Sequence, residues 1–421
     1  MQTSLWEIAN KAAQNKTHQF QNLISLLTVE WLLYCWRFVN KKAAAGVDRQ
    51  SASQYAANLE SNAADLADSV QGGWYRAKLV LRKYIPKLNG KLRPLGLPSI
   101  ADKLLQTAVA KILEAIYEQD FLPCSFGYRP RTGAHQAVKE LSAALRSRTY
   151  KTVVEADIKG FFDNIDHDLL LAMLKMRIDD KPFLKLIQRW LKAGILDTDG
   201  KVLQPITGSP QGGIVSPILA NVYLHYALDV WFEEVVKAHC KGKVYLCRYA
   251  DDFVCAFEAE SDAQRFFYKV LPQRLAKYGL EVAVEKTHLL RFDTDAKTRF
   301  EFLGFEFRWG LSRWGKPVLK RRTARNKYRA SIAGFTQWCK KHCRLPTAQM
   351  FAKLNQKLRG YWNYYGLRGN YESLSDYFYH VTRILLKRLN RRSQHKSYTW
   401  TSFGELLKDF PLIKPRICHT F

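Results

Sequence analysis

Apolar positions recur along the chain in more than one rhythm. In the first third, Leu23, Leu26, Leu27, Trp31, Leu32 and Cys35 return at about helical spacing, and Ala43-Ala44-Ala45-Gly46-Val47-Asp48 breaks the run. Lys78 to Ile85 alternates as a strand does. Pro86-Lys87-Leu88-Asn89-Gly90-Lys91 follows as a turn, which predicts a hairpin with a basic tip. Ala101 to Tyr117 returns to the helical period, with Leu104, Leu105, Ala108, Val109, Ile112, Leu113 and Ile116 on one face.

The middle third mixes strands and helices. Thr152-Val153-Val154 predicts a short strand running into Glu155-Ala156-Asp157. Asp166 precedes a helical run through Leu169, Leu170, Met173 and Leu174. It reads as an N-cap with Asp168 in the first turn, which makes both acids structural. Ser216-Pro217 predicts another helix opening, with Ser at the cap and Pro at the first position. Val244 to Cys247 and Phe253 to Phe257 flank Arg248-Tyr249-Ala250-Asp251-Asp252, a hairpin with carboxylates at its turn. Later, Leu354, Leu358, Tyr361, Trp362 and Tyr365 mark one helix face, and Leu374, Phe378, Val381, Leu385 and Leu389 mark another.

Charge changes this picture. Among 421 residues, 66 Lys and Arg face 38 Asp and Glu, a net +28, while 47% of the chain is apolar. The basic excess therefore rides on folded domains and suits a polyanion, above all nucleic acid. It is uneven. Residues 311–421 carry 24 Lys and Arg against Glu372, Asp376, Glu405 and Asp409, a net +20, which leaves +8 for the first 310. The change of charge and the Trp/Gly/Pro stretch at 309–317 predict a domain boundary there. No apolar run is long enough to span a bilayer and the first residues lack a signal-peptide core, so a cytoplasmic protein with no membrane partner is expected. The eight cysteines are scattered, and Cys339, His342 and Cys343 are expected on one helix and not around zinc.

The acids carry the sharpest chemistry. Adjacent ionised carboxylates between apolar strands are costly unless paired or metal-bound. An ordinary Asp turn is the bland alternative. A third acid, Asp157, at the end of a β-branched strand shifts the balance. Three carboxylates on one sheet edge could hold two Mg²⁺ ions about 4 Å apart, clamping both oxygens of an in-line phosphoryl transfer. In the C-terminal segment, Lys387, Arg388, Arg391, Arg392 and Lys396 form a basic edge, and Lys353, Lys357 and Arg359 lie away from their helix's apolar face. A solvated charged face is the bland reading there. An excess of +20 is more than solubility needs and predicts contact with an RNA backbone.

Tyr249-Ala250-Asp251-Asp252 resembles the YxDD signature of reverse transcriptases. Arg93-Pro94-Leu95-Gly96-Leu97-Pro98, Ser125-Phe126-Gly127-Tyr128-Arg129-Pro130, Ser209-Pro210-Gln211-Gly212-Gly213 and Phe302-Leu303-Gly304-Phe305 match further blocks, in the order found in group II intron-encoded proteins. The similarity runs from about Thr17 into the C-terminal segment. It implies an α+β right-hand polymerase: fingers mainly at 1–150, palm mainly at 151–310, and a basic α-helical thumb or maturase (X) domain at 311–421.

The resemblance also implies roles. The activity would be RNA-directed DNA polymerisation by two-metal nucleotidyl transfer, with Asp157 and Asp251 as principal Mg²⁺ ligands and Asp252 as the third acid. Lys87 and Arg93 would contact the dNTP triphosphate, and Gln211 would line the dNTP site. The ring of Phe162, with Phe161 as its rival, would exclude a 2′ hydroxyl; Lys286 is a candidate general acid toward pyrophosphate. The implied partners are structured intron RNA, an RNA template with a DNA primer, a DNA target and dNTPs, with nucleoid association when DNA is engaged. Many relatives append a DNA-binding region and an endonuclease with Cys pairs, neither of which is expected in a chain ending at Phe421. Two other readings stay open: an RNA-binding splicing cofactor that no longer polymerises, and a host-recruited reverse transcriptase, for example in defence, without its own intron.

Overall fold

The computed structural model describes residues 2–86, 92–209, 212–392 and 397–421. The predicted first hairpin is present: β1 (Val80–Pro86) and β2 (Leu92–Leu97) pair antiparallel from Leu81↔Leu97 to Pro86↔Leu92. Its basic tip, with Lys87, lies outside the described residues. After β3 (Thr152–Asp157), the short strands β4 (Ile195–Leu196) and β5 (Val202–Leu203) extend the hairpin into a sheet of order β2-β1-β4-β5.

A second sheet takes up the predicted acid-bearing hairpin. It contains β6 (Val244–Tyr249), β7 (Asp252–Phe257) and β8 (His288–Arg291) in the order β6-β7-β3-β8. The third sheet comprises β9 (Arg299–Phe302), β10 (Phe305–Leu311) and β11 (Pro317–Thr323), ordered β11-β10-β9.

The Ile100–Tyr117 helix opens where Ser99 Oγ accepts from the Asp102 amide at 3.1 Å. Its apolar face is as predicted, but Asp102, Lys103, Gln106 and Thr107 are buried as well. They are tolerated because polar partners meet them: Ser99 Oγ donates to Asp102 at 2.8 Å, and the hydroxyl of buried Tyr75 donates to the same carboxylate. Asp166 caps its helix as expected, accepting from the Leu169 amide at 2.9 Å. Ser216 does not cap: the Ser216–Leu224 helix is preceded by Val215 in helical geometry, and the Ser216 hydroxyl instead accepts from Ser209 at 2.7 Å. Helices at Gln2–Gln14, Ala52–Ala56 and Leu59–Gln71 agree with a mostly helical opening third, although no apolar face was read for each of them.

The chain forms two compact units. One comprises Met1–Ala137, Ala156–Cys255 and Ser261–His288; the other comprises Val138–Glu155, Ala256–Glu260 and Leu289–Phe421. The chain passes from one to the other inside β3, β7 and β8. The Trp309–Pro317 stretch taken from sequence as a boundary is the β10–β11 turn region, inside the second unit. In that unit the helices Arg325–His342, Thr347–Tyr365, Tyr371–Leu389 and Trp400–Asp409 share a core of Leu354, Leu358, Trp362, Leu374, Val381, Leu385 and Leu389. These are the faces predicted from periodicity, except that Tyr361, Tyr365 and Phe378 are only half-buried while Tyr377 is buried. Cys339 lies in the same core, and burial pushes its thiol up to about 12. Among the described residues no helix is long and apolar enough to cross a membrane.

Candidate active site

Asp157 closes β3, and Asp251 sits in the two-residue turn between β6 and β7. The turn needs help from outside, because Ala250 takes a left-handed φ of 57°, which a side chain disfavours. Arg248 supplies it. This guanidinium is fully buried and donates to Asp229 at 2.6 Å, to Ser125 Oγ at 2.7 Å, to Asn221 Oδ1 at 3.2 Å and to the Ala250 carbonyl at 3.0 Å. Backbone bonds tie the same strand to the Ser125 block: Arg248 N donates to Cys124 O at 2.7 Å, and Phe126 N to Arg248 O at 2.9 Å. Asn221 in turn donates to the Gly127 carbonyl at 2.7 Å. A Cβ at Gly127 would lie 2.4 Å from the Ala250 nitrogen, so only glycine lets the block lie against the turn.

Lys286 approaches from a third segment. Ala283 N donates to Asp157 O at 2.8 Å and Thr287 Oγ1 to Ala283 O at 2.9 Å, which folds Val284–Lys286 into one tight turn beside Asp157. The Lys286 ammonium donates to the Asp157 carboxylate, and that bond holds its proton more firmly than usual. Burial pushes the Asp251 carboxyl up and the charge of Asp157 adds to the push, while Lys286 and Arg93 pull it back. Asp251 therefore lies within the fields of Asp157, Lys286 and Arg93.

The remaining predicted residues fall as follows. Arg93 is an exposed β2 residue paired with Ile85, and its field also reaches Tyr128. Phe161 is buried against Tyr223, whereas Phe162 is half-buried with its ring 6.3 Å from that of Tyr128. Pro210 and Gln211 lie outside the described residues. Ser209 N donates to Phe162 O at 2.7 Å, and a Cβ at Gly212 would lie 2.4 Å from Gly96 O, which sets Ser209 beside Phe162 and Gly212 beside β2. Asp252 begins β7. Lys353, Lys357 and Arg359 are exposed on the Thr347–Tyr365 helix, and Lys387 and Arg391 are exposed at the end of the next. Arg388 is half-buried. Arg392 is partly occupied, donating to Leu345 O and Thr347 Oγ1, both at 3.3 Å. Lys396 lies outside the described residues. Arg248 and Tyr128 were not singled out from sequence; the available signal for Arg248 was a charge inside an apolar strand.

Among the described residues no three His, Cys, Asp or Glu side chains gather closely enough to hold a metal ion. The Asp157 and Asp251 pair nonetheless suits Mg²⁺ in donor type, offering hard carboxylate oxygens, and Asp157 already takes a cationic partner in Lys286.

The family described as reverse transcriptase (RNA-dependent DNA polymerase) matches residues 85–307. Group II intron-encoded protein LtrA of Lactococcus lactis subsp. cremoris is 28% identical, over 93% of this chain and 78% of that protein. Protein YkfC of Escherichia coli is 33% identical, over 59% of this chain and 73% of that protein. A 91 kDa protein in a cob intron of Schizosaccharomyces pombe is 44% identical across 37% of this chain and 19% of its own length. With the family match spanning more than half of its residues, the chain belongs to the reverse transcriptase (RNA-dependent DNA polymerase) family, and its similarity runs to the group II intron-encoded members.

Proposed function

We propose that the chain is an RNA-directed DNA polymerase that also binds a group II intron RNA, promoting splicing and target-primed reverse transcription. The observation that carries the polymerase reading is the meeting of Asp157 and Asp251 with Lys286 and Arg93, built from segments far apart in sequence. Mg²⁺ held by these carboxylates, with Asp252 beside them, would neutralise charge on the phosphates and on the attacking oxygen, in the manner of two-metal sites.

The chain's own groups supply the rest. Arg93, with Lys87, orients the incoming triphosphate through charge-assisted hydrogen bonds. The Phe162 ring, braced by Tyr128, lies against the sugar and leaves no room for a 2′ hydroxyl, and Gln211 lines the same site. As the primer 3′ hydroxyl loses its proton to solvent and its oxygen bonds to the α-phosphorus, the α–β bridging bond breaks and the Lys286 ammonium gives its proton to the departing pyrophosphate. Its hydrogen bond to Asp157 keeps that proton on Nζ beforehand. The basic helices of the C-terminal segment grip the RNA.

Primer extension on a heteropolymeric RNA template tests this reading. The intact protein yields Mg²⁺-dependent cDNA; Asp251→Ala lowers the yield at least about a hundredfold, the scale of losing a main electrostatic contributor. RNA affinity stays within a few fold, because no basic surface is removed. Absence of cDNA from the intact protein refutes the polymerase, and a collapse of affinity in Asp251→Ala refutes the division of labour.

A further inference from the structure

Phe162 stands in a single three-residue turn, Phe161–Asp163, entered through Gly160 in left-handed geometry at φ 56°. The turn's own bonds, Asp163 N to Gly160 O at 2.9 Å and Asn164 N to Phe161 O at 3.1 Å, close that turn and no more. So short a helix is weak by itself, and the direction of its side chains depends on what holds it from outside. Thr207, Gly208 and Ser209 provide that hold. Besides the Ser209 bond to Phe162 O, Thr207 Oγ1 donates to Asp163 O at 3.1 Å and Gly208 N to Ile165 O at 2.8 Å. Only glycine fits the middle position: Gly208 has φ 94°, and a Cβ there would lie 2.9 Å from Asp163 O and 3.0 Å from Phe162 O.

A further tie comes from a side chain that none of the roles above uses. His167, the first residue of the His167–Lys175 helix, is 5% exposed, and its Nε2 lies 2.6 Å from Gly208 O. A carbonyl oxygen only accepts, so Nε2 carries the hydrogen whether the ring is neutral or charged. Gly208 is thereby gripped through its N–H by Ile165 and through its C=O by His167. Close packing does not hold the seam on every side. Asp163, Thr207, Gly208 and Ser209 line a cavity of about 370 Å³, shared with Arg82 and Gly96 of the first hairpin. On that side hydrogen bonds, and not interlocked side chains, set where the two segments lie.

We propose that His167 is a positioning residue for nucleotide selection, resting on the reading of Phe162 as the ring against the sugar. Its hydrogen bond to Gly208 holds the Thr207–Ser209 segment on the Phe162 turn and so fixes the ring that separates deoxynucleotides from ribonucleotides. Tyr128 steadies the ring itself from 6.3 Å, whereas the seam steadies the backbone from which the ring projects. A misplacement of about 1 Å at a reacting centre can cost about a hundredfold, so a small drift of this turn suffices to blur the choice of sugar.

The test is single-nucleotide primer extension by the full-length chain on one RNA template, giving kcat and KM for dATP and for ATP, with the active fraction titrated in each preparation. His167→Leu keeps bulk in the site without a donor and leaves the Gly208 carbonyl unpaired. It is expected to lower the ratio of kcat/KM for dATP over ATP at least about tenfold, with KM for dATP rising and kcat held within about threefold. His167→Gln, whose amide can donate in place of Nε2, is expected to bring the ratio back to within about threefold of the parent. Thr207→Val, at an exposed position, removes a lesser tie and lowers the ratio about twofold to threefold without moving the melting temperature. A histidine with only a structural role would lower the melting temperature and the active fraction and leave the ratio of the active molecules as it was. An unchanged ratio in His167→Leu, or a fall that His167→Gln does not reverse, overturns the inference; if His167→Leu yields no folded protein, an unchanged ratio in Thr207→Val does so. Phe162→Ala tells that failure from a failure of its premise. If Phe162→Ala relaxes the choice of sugar, the reading of Phe162 stands while the role of His167 falls; if it does not, both fall.

Discussion

Arg248 holds its position by being the wrong residue for a core strand. A guanidinium with no exposure survives only because Asp229, also fully buried, neutralises it. Asp229→Asn keeps the shape and one acceptor but leaves the charge uncompensated. It should destabilise the protein by about 3 kcal/mol, read as a lower urea midpoint, with cDNA synthesis falling in parallel because Arg248 also holds the Ala250 carbonyl. At this scale the sequence was informative where chemistry is concentrated in a motif, as with Asp157 and Asp251. It was silent where a residue's meaning depends on partners remote in the chain: nothing near Arg248 announces Asp229 or Ser125. Phe162 was preferred to Phe161 only through the family resemblance, because adjacent rings differ only in the direction each side chain takes.

Among the elements, the Ser125–Pro130 segment and the β6–β7 turn behave as one piece. Gly127→Ala must push the Ala250 backbone away and is expected to cost at least about tenfold in polymerisation while lowering the melting temperature only modestly; primer extension beside calorimetry separates the two. On β3, burial pushes the Glu155 carboxyl up to about 7, helped by the charge of Glu301. A carboxyl whose folded value lies above its unfolded one binds its proton more tightly when folded. Its contribution to stability is therefore full below about pH 4.5 and is lost as pH rises through 7. Glu155→Gln should flatten that fall, melting higher than the parent at pH 8 and about equally at pH 4.5 in a melting series.

Periodicity found the strands and the core helices, since burial on one face imposes it. It showed the opening third to be mostly helical without bounding each helix there, where the apolar stripe is thin. It also misread Ser216, because a serine before proline satisfies the cap rule even when the helix has already begun. The apolar face of the Ile100–Tyr117 helix gave no sign that its polar residues are buried too, and only tertiary partners such as Tyr75 make that burial tolerable.

For the whole molecule, net charge was legible from the outset and its assignment was not. The +20 of residues 311–421 is spread over both the helices and the strand β11, where Lys320, Arg321 and Arg322 follow one another. Neutralising Lys387, Arg388 and Arg391 should lower the salt slope of RNA binding by up to about 0.7–0.9 per residue that touches a phosphate, measured by titration across KCl. Arg392 is left out of that set because it also ties Leu345 and Thr347 together. The sequence placed a boundary where charge changes, whereas the compact units interleave along the chain, since contact and not composition defines a unit.

The bond between Arg248 and Ser125 spans 123 residues of sequence. Closure over such a distance is slow and comes only after both partners have been synthesised and docked. The strained turn bearing Asp251 therefore cannot be braced until the chain has been made past residue 248 and the Ser125 segment has docked against it. A chain in which that docking fails still carries the basic helices of its C-terminal segment, yet it lacks the brace that shapes the acidic turn. If the turn serves as proposed, the ability to hold RNA and the ability to copy it are separately lost on misfolding.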